Sequence, residues 1–502
     1  MTAVIASGKI SSAEPGRVAF DNSYARLPER FFTRQAPTPV AAPRLILVNA
    51  ALAEQLGLDP SALASPEWID VLAGNRLPKS AEPIACAYAG HQFGNFVPQL
   101  GDGRAILLGE VVGRDGIRRD VQLKGAGPTP FSRGGDGRAA LGPVLREYLV
   151  SEAMAALGIP TTRALAAVTT GESVRRETAL PGAVLTRVAT SHIRVGTFQY
   201  FAARDDMEAV RQLADHVIAR HYPEAAHAEN PYRGLLEGVV ARQAGLVARW
   251  LLVGFVHGVM NTDNSSVAGE TIDYGPCAFL DAYDPETVFS SIDRGSRYAY
   301  GEQPRIVHWN LARLAETLLP LLADNEDAAQ ASALEALAAF RGRFEATYLG
   351  GLRRKIGFET ERDGDNALAQ DLLQRMAANR ADFTLTFRLL CDAAIGPSGD
   401  TAMRPLFADP AAYDDWAARW HQRLTGDPTA RRIAMQEVNP AYIPRNHLVE
   451  EAIEAAVERQ DFSVFERLGA VLQHPYEEKP GFERYAVAPQ PHGPAYRTFC
   501  GT

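Results

Sequence analysis

Cysteine is scarce in this chain of 502 residues. The four cysteines lie far apart and no two of them form a CxxC pair, which excludes the common zinc motifs and the dense disulfide framework of a small secreted protein. They are Cys86, Cys277, Cys391 and Cys500. The N-terminus also lacks the charged start and the apolar core of a secretory signal. We therefore expect a cytoplasmic protein.

Long apolar runs and a basic excess are missing as well. The longest apolar run, LVARWLLVGFVHGVM, is interrupted by an arginine and a histidine and is too short to span a bilayer. We interpret it as a buried helix and expect no membrane partner. The chain has 51 lysines and arginines and 60 aspartates and glutamates, which gives a net charge of -9. Because neutralising nucleic-acid phosphates requires a basic face, we expect no nucleic-acid partner.

The patterns that are present divide the chain into a strand-rich part and a helical part. RAILLGEVV, the turn GRDG and IRRDVQLKG predict two strands joined by a hairpin. GPVLREYLVSEAMAAL predicts a helix with Glu147 near its start, and RALAAVTTG and PGAVLTRVA predict two further strands. From Phe198 onward the helical spacing of apolar residues is almost continuous. The predicted fold class is α+β, with a small, mostly antiparallel sheet.

The segment FVHGVMNTDN, followed by IDYGP, resembles a protein-kinase catalytic loop without its catalytic aspartate. His257 and Asn264 keep the spacing of the kinase motif HRDxxxxN, and Asp273 opens a DYG in place of DFG. The aspartate position holds Val259, which cannot accept a proton. The chain is therefore either an inactive kinase or an enzyme whose base has moved. Asp263 is the candidate base, although NTDNSS is also a strong turn signal in which aspartate is common.

Other kinase-like features precede this loop in the kinase order. Gly101 and Gly103 would let backbone amides approach phosphates, and Arg104 would bind phosphate oxygens. Lys124 ends the second strand, where it would pair with phosphates and with Glu147. Taken alone, each has a simpler interpretation as a turn glycine or a solvent-exposed lysine at a strand end. The order of the features favours the functional interpretation.

Further cations and a glycine-rich loop surround these features. The loop GAGPTPFSRGGDGRAALGP contains Asp136 and Gly137, and it would either close over a nucleotide or connect two elements in solvent. Arg187 lies in an apolar strand, where burial is costly unless it meets an anion or an internal salt-bridge partner. Arg194 follows near the junction of the two parts. Asn264 and Asp273 are oxygen donors of the kind that Mg²⁺ or Mn²⁺ prefers beside nucleotide phosphates.

Together these features predict a two-lobed protein-kinase-like fold with a β N-lobe that carries one helix and a larger helical C-lobe. Residues 1–80 are predicted as an extension packed on the N-lobe and residues 81–196 as the N-lobe. Residues 197–480 are predicted as the C-lobe with the catalytic loop and the DYG, and residues 481–502 as a C-terminal tail.

Long strings of the chain resemble the selenoprotein O family of protein adenylyltransferases. They include FDNSYARLPERFF, YAGHQFGNFVPQLGDGRA, QLKGAGPTPFSRGGDGRAAL, HGVMNTDNSS, DYGPCAFLDAY and NPAYIPRNHL. The resemblance implies that ATP binds in reversed orientation and that AMP is transferred to serine, threonine or tyrosine hydroxyls of proteins. By position, the residues that match nucleotide contacts are Gly101, Gly103, Arg104, Lys124, Asp136, Gly137, Arg187, Arg194 and Asp273.

The same resemblance assigns the remaining roles. It implies that Asp263 accepts the proton, that Asn264 and Asp273 hold the metal, and that Glu147 is the partner of Lys124. Two rival functions stay open: a phosphotransferase that acts at the γ-phosphorus, and an inactive ATP-binding scaffold, which Val259 suggests. The residues do not distinguish ATP from UTP or Mg²⁺ from Mn²⁺, and they do not name the protein substrates.

The C-terminal tail departs from the family pattern. Family members often carry a redox pair near the C-terminus, whereas this tail contains only Cys500. A bridge from Cys500 to Cys277, which closely follows the DYG, would tether the tail to the active-site loop and make activity redox-dependent. The alternative is two unpaired thiols in a reducing cytoplasm.

Overall fold

The computed structural model describes residues 18–489 and Thr498. It has a mixed α+β fold in which an antiparallel sheet is followed by a largely helical region. The strands are β1 (Phe32–Arg34), β2 (Arg44–Val48), β3 (Ile84–Cys86), β4 (Gly90–Gln92), β5 (Asn95–Val97), β6 (Ala105–Val112), β7 (Arg118–Lys124), β8 (Ala139–Ala140), β9 (Arg163–Arg175), β10 (Ala179–Ala189), β11 (Phe255–Val256) and β12 (Ala278–Phe279).

Helices alternate with the first strands and then dominate the chain. They are α1 (Ala50–Gln55), α2 (Pro60–Leu63), α3 (Pro66–Ala73), α4 (Leu141–Ala156), α5 (Val195–Ala202), α6 (Met207–His221), α7 (Pro231–Leu252), α8 (Gln303–Leu322), α9 (Glu326–Lys355), α10 (Asp365–Asn379), α11 (Phe383–Ala393), α12 (Asp400–Met403), α13 (Pro410–Arg423), α14 (Pro428–Gln436), α15 (Asn446–Arg459), α16 (Ser463–Leu472) and α17 (Glu483–Ala486). No helix within the described ranges is both long and apolar enough to cross a membrane.

The chain divides into two compact units. The first, called the sheet unit here, comprises the described residues of Met1–Ala87 together with Gly101–Val144 and Arg163–Thr190. The second, called the helical unit, comprises Tyr88–Leu100, Leu145–Thr162 and the described residues of Ser191–Thr502. The short segment Tyr88–Leu100 therefore belongs to the helical unit although strands of the sheet unit flank it in the sequence.

The sheet unit is built on one antiparallel sheet with the strand order β1-β3-β6-β7-β10-β9-β2, in which β8 also pairs with β10. The hairpins β6–β7 and β9–β10 confirm the strands predicted from the sequence. The strands β1, β2 and β3 were not predicted, because each is only three to five residues long. Helices α1 to α3 cover the sheet with apolar side chains, including Leu52, Trp68 and Leu72.

The helical unit is organised around the long buried helix α7. Asn230 caps its N-terminus by accepting hydrogen bonds from two backbone amides, and a proline occupies its first turn. An aromatic core that includes Trp416, Trp420 and Phe383 lies farther along the chain in the same unit. Helix α7 confirms the first half of the predicted buried helix and ends at Leu252; the second half of that apolar run is not helical and contains β11. The kinase-like loop begins directly after β11.

Candidate active site

The kinase-like loop is closed by a short pair of strands. Phe255 pairs with Phe279 and Val256 with Ala278, so β11 and β12 bring the two ends of residues 257–277 together. Both halves of the predicted motif therefore lie in one loop of the helical unit. Contacts within the loop, and with an arginine outside it, then hold the HxxxxxxN segment close to the DYG.

His257 braces the inside of this loop. Its ring is almost fully buried, and its Nε2 lies 2.9 Å from the carbonyl oxygen of Ile272, just before the DYG. Burial lowers the pKa of His257, which favours the neutral ring with Nε2–H as donor to Ile272. Val259 is also buried and offers no polar atom from its side chain. The loop is thus positioned by a histidine but has no proton acceptor at the usual kinase position.

Asp263 lies in a one-turn helix spanning Thr262–Asn264 and is 7% exposed. Its Oδ2 accepts a hydrogen bond of 3.1 Å from Nε2 of Gln92. Its Oδ1 is buried and has no hydrogen-bond partner among the described residues. Burial raises the pKa of Asp263 to about 6, although the Gln92 hydrogen bond and the charge of Arg194 act in the opposite direction. A buried carboxylate oxygen without a partner costs about 1–3 kcal/mol, which a bound hydroxyl group would recover.

Arg194 connects Asp263 with the DYG aspartate. Its Nη1 donates to the backbone oxygen of Asp263 and to Oδ2 of Asp273, each at 2.5 Å. The guanidinium also lies over the ring of Tyr88, 4.6 Å from its centroid, and the side chain is buried. Asp273 has a φ of 62°, a left-handed conformation that is uncommon outside glycine. The ion pair with Arg194 helps to offset the energetic cost of this backbone conformation.

Asn264 and Asp273 are the candidate metal ligands. Nδ2 of Asn264 donates to the backbone oxygen of Val259 at 3.0 Å, which orients the amide and leaves Oδ1 as its remaining acceptor. Within residues 18–489 and Thr498, no group of three or more His, Cys, Asp or Glu side chains could hold a metal by itself. Magnesium sites commonly use one or two protein oxygens together with nucleotide phosphates. This donor set fits a metal that is held jointly with a nucleotide.

In the sheet unit, Lys124 and Arg104 lie at the same end of the paired strands β6 and β7. Lys124 is opposite Ala105 of β6 and Leu185 of β10 in the strand register. The amide of Gly125 donates to the backbone oxygen of Arg104 at 2.7 Å. Both cationic side chains are half-buried. The register therefore brings two of the predicted nucleotide contacts together.

Three glycines near this end of the strands lie where close packing leaves no room for a side chain. Gly101 has a φ of +90°, and a Cβ there would lie 2.3 Å from the ring of Phe131. A Cβ at Gly103 would lie 2.8 Å from the backbone oxygen of Phe131, and one at Gly137 would lie 2.1 Å from the backbone of Gly127. The glycine-rich loop is thus folded against the segment that precedes β6. Packing alone accounts for these glycines, and a phosphate contact remains a prediction.

Arg187 and Asp136 are both engaged within the sheet unit. Arg187 is 1% exposed, and its Nε and Nη2 donate to Oε1 of Gln122 at 3.2 and 2.6 Å. The amide of Gln122 in turn donates to Asp102 at 3.3 Å. Asp136 is more exposed and forms an ion pair of 2.9 Å with Arg176. Arg187 therefore lies in a buried polar chain, as its cost of burial requires.

The pairing of Glu147 with Lys124 and the bridge between Cys277 and Cys500 remain predictions. Glu147 is buried on α4. Cys277 is buried directly after the DYGP segment. Cys500 lies outside the described residues. Thr498 is described, and its hydroxyl donates to the backbone oxygen of Pro276 at 2.7 Å.

Sequence reasoning missed the segment Tyr88–Leu100. Gln92 contacts Asp263 although 171 positions separate them in the chain. The string GHQFGNF was noted only as part of a family resemblance, and nothing in its local pattern names a partner that far away. Its two glycines and its short alternation are the only local signals for the β4–β5 hairpin.

Comparison with known proteins gives concordant matches. Residues 16–473 match the family described as protein adenylyltransferase SelO. A protein nucleotidyltransferase YdiU of Methylorubrum extorquens strain PA1 is 70% identical over 492 residues, which cover 96% of this chain and 99% of the relative. Proteins of the same name from Rhodopseudomonas palustris strain BisB5 and Bradyrhizobium sp. strain ORS 278 are 67% and 66% identical, with the same two coverages.

These matches confirm the resemblance found in the sequence, because each alignment with a relative covers nearly the whole length of this chain and of that relative. The chain therefore belongs to the protein adenylyltransferase SelO family and is an enzyme of the nucleotidyltransferase class.

Proposed function

We propose that the chain transfers AMP from ATP to serine, threonine or tyrosine hydroxyls of other proteins, with Asp263 as the proton acceptor. The observation that carries this proposal is the buried carboxylate of Asp263, whose Oδ1 has no hydrogen-bond partner among the described residues. It lies next to Asn264 and is linked through Arg194 to Asp273. A proton acceptor beside two oxygen donors is the arrangement that group transfer to a hydroxyl requires.

The transfer step follows from this arrangement. Asp263 takes the proton of the acceptor hydroxyl as its oxygen attacks the α-phosphorus. The bond between the α-phosphorus and the bridging oxygen breaks, and pyrophosphate leaves with the electron pair. A bound Mg²⁺ or Mn²⁺ would neutralise charge on the phosphates, and Asn264 and Asp273 would hold it.

The proposed fold type is that of a two-lobed protein kinase, and the proposed nucleotide orientation is reversed. The order of elements supports the fold type: the turn at Gly101, the hairpin β6–β7, helix α4, the hairpin β9–β10, helix α7 and the loop. Lys124, Arg104 and Arg187 are proposed to bind the triphosphate. A reversed nucleotide places its phosphate tail deep in the site, where more cations are needed than at an ordinary kinase site.

Labelled ATP distinguishes adenylyl transfer from phosphoryl transfer. Purified enzyme and an acceptor protein are incubated with metal and ATP that carries label at the α-phosphorus in one reaction and at the γ-phosphorus in the other. We expect label on protein only in the α reaction. Label that arrives only from the γ position would replace this proposal with the phosphotransferase.

The inactive scaffold that Val259 suggests is tested by Asp263→Ala. Removal of the proton acceptor should reduce transfer at least 100-fold and leave ATP affinity within about threefold. Asp363→Ala is the control, because Asp363 is an exposed aspartate of the same unit. Undiminished transfer by Asp263→Ala would remove Asp263 as the base, and absence of transfer by the wild type with any donor nucleotide would favour the scaffold.

We also propose that a bridge between Cys277 and Cys500 regulates the enzyme. Cys277 is buried next to Pro276, and Pro276 accepts a hydrogen bond from Thr498, two residues before Cys500 in the chain. Mild oxidation by a disulfide reagent should give a Cys277–Cys500 peptide in non-reducing mass spectrometry and change the transfer rate. The absence of that peptide would end the proposal.

A further inference from the structure

The segment before the sheet hairpins forms a separate β-hairpin in the helical unit. Strands β4 and β5 pair antiparallel, and Phe93 and Gly94 form the connecting turn with φ values of 52° and 86°. Two consecutive left-handed residues are typical of a type I′ turn, which glycine and asparagine favour. A phenylalanine there is strained and is kept only where other contacts compensate for the strain.

The compensating contacts of Phe93 lead to the kinase-like loop. Its backbone amide donates to Oδ1 of Asn261 and to the hydroxyl of Tyr298, both at 3.1 Å. Its ring lies 5.1 Å from the ring of Tyr298, centroid to centroid. The hydroxyl of Tyr298 also donates to Oδ1 of Asn261 at 2.7 Å. The tip of the hairpin is thereby fixed to a residue only two positions before Asp263.

The two hairpin residues that precede Phe93 bind the two loop residues that follow Asn261. The amide of His91 donates to the hydroxyl oxygen of Thr262 at 2.6 Å, and Nε2 of Gln92 donates to Oδ2 of Asp263 at 3.1 Å. With the Phe93 contact, three consecutive hairpin residues hold three consecutive loop residues. Together these contacts hold the loop against the hairpin at three adjacent residues.

A closed ring of hydrogen bonds completes the attachment. The hydroxyl of Thr262 donates to Oε1 of Gln199 at 2.6 Å, and Nε2 of Gln199 donates to Nδ1 of His91 at 2.8 Å. Because a glutamine amide nitrogen is only a donor, Nδ1 of His91 must be the acceptor. Gln199 lies on α5, so the ring joins the hairpin and the loop to a helix.

Two glycines allow this close approach. A Cβ at Gly90 would lie 2.5 Å from Oδ1 of Asp263, and a Cβ at Gly196 would lie 2.1 Å from the backbone oxygen of Ala89. Any side chain at Gly90 would therefore displace the carboxylate. The backbone of residue 90 can pack directly against the Asp263 carboxylate only because this residue has no side chain.

We propose that the hairpin Gly90–Val97 positions the Asp263 carboxylate for catalysis, and that Gln92 is its positioning residue. Gln92 binds Oδ2 with a neutral donor and fixes the rotation of the carboxylate, while the absence of a side chain at Gly90 lets the hairpin pack directly against Oδ1. This inference rests on the proposed role of Asp263 as base. It adds a role for a segment that lies more than 170 positions away in the sequence.

The test is a double-mutant cycle between Gln92 and Asp263, with transfer from α-labelled ATP as the readout. Gln92→Ala should lower kcat about 10- to 100-fold, because a small misplacement of a catalytic group costs that much, while the KM for ATP stays within about twofold. In the Asp263→Ala background the same substitution should cost nothing further. Gln99→Ala is the matched control, because Gln99 is an exposed glutamine of the same segment.

Two further variants separate positioning from folding. Gln92→Glu keeps the shape of the side chain but places a like charge beside Oδ2, so its kcat should fall at least as far as that of Gln92→Ala. Gly90→Ala should lower kcat by displacing the carboxylate, whereas Gly295→Ala, where nothing lies within 4 Å of the added Cβ, should leave it unchanged. A loss of ATP affinity or of thermal stability that matches the loss of kcat would show a merely structural role.

The outcomes distinguish this inference from the proposed function. If Gln92→Ala keeps kcat within twofold of the wild type while the wild type transfers α label, the positioning role is wrong and adenylyl transfer stands. If the two single substitutions add in the double mutant, Gln92 does not act through Asp263. If the wild type transfers no α label, the proposed function itself fails.

Discussion

At the scale of residues, the loop between β11 and β12 keeps the histidine of the kinase HRD segment but not its aspartate. His257 keeps the bracing role, since it binds the backbone of Ile272. Val259 is buried and apolar, and the carboxylate appears four positions later at Asp263. The sequence could identify both substitutions, because they occur within one motif. It could not identify Gln92, because its contact with Asp263 is made only after folding.

The DYG aspartate gives a residue-scale prediction about metal. Asp273→Asn keeps the volume and one acceptor oxygen but removes a negative charge from the proposed metal site. ATP affinity measured by calorimetry with Mg²⁺ should fall about tenfold or more. In EDTA the variant and the wild type should bind ATP within about twofold of each other. An equal loss with and without metal would assign Asp273 to the ion pair with Arg194 alone.

Lys355 gives a residue-scale prediction about pH. It ends α9, is 3% exposed, and its Nζ lies 4.3 Å from the ring centroid of Phe387. Burial lowers the pKa of Lys355 from 10.5 to about 7. Between these two values the unfolded chain binds a proton that the folded chain does not, so this lysine makes stability rise with pH across that window.

Lys355→Met should remove that dependence. At pH 7 we expect the free energy of unfolding to rise by roughly 1–3 kcal/mol, because a buried amine is replaced by an apolar side chain of similar length. At pH 10 the difference should be much smaller. Urea unfolding at both values measures it, with the exposed Lys79→Met as control. Equal effects at the two values would contradict the burial argument.

At the scale of elements, the predicted pieces are those with a strong local pattern. The strands of the hairpins β6–β7 and β9–β10 contain long stretches of apolar residues, some of them alternating with polar ones. In helices α4 and α7 apolar residues recur at helical spacing. The pieces not predicted are short, and their partners are distant in sequence. Strand β1 pairs with β3 some fifty positions later, and the hairpin β4–β5 packs on a loop far along the chain.

The turn before β6 gives an element-scale prediction. Gly101→Ala combines a left-handed φ with a contact of 2.3 Å to Phe131, so it should lower the free energy of unfolding by about 2–4 kcal/mol. Gly116→Ala is the matched control, because its φ is also positive and nothing lies within 4 Å of the added Cβ. That control should cost only about 1 kcal/mol. Equal losses in urea unfolding would mean that Phe131 moves aside freely.

At the scale of the whole molecule, the cationic side chains predicted to contact the nucleotide lie close together in an otherwise acidic chain. The net charge is -9, yet Lys124 and Arg187 lie on two paired central strands of the sheet unit, β7 and β10, and Arg104 directly precedes β6. The helical unit supplies Asp263, Asn264 and Asp273 in one loop. Family membership, which the comparisons show, identifies the chain as a nucleotidyltransferase. Motif spacing alone indicates only a divergent kinase.

The most direct measurement of the central claim is the intact mass of an acceptor protein after incubation with the enzyme, ATP and Mg²⁺ or Mn²⁺. We expect an increase equal to one adenylyl group per modified hydroxyl, and no increase with the Asp263→Ala enzyme. An increase equal to a phosphoryl group, or an adenylyl increase that persists without Asp263, would contradict it.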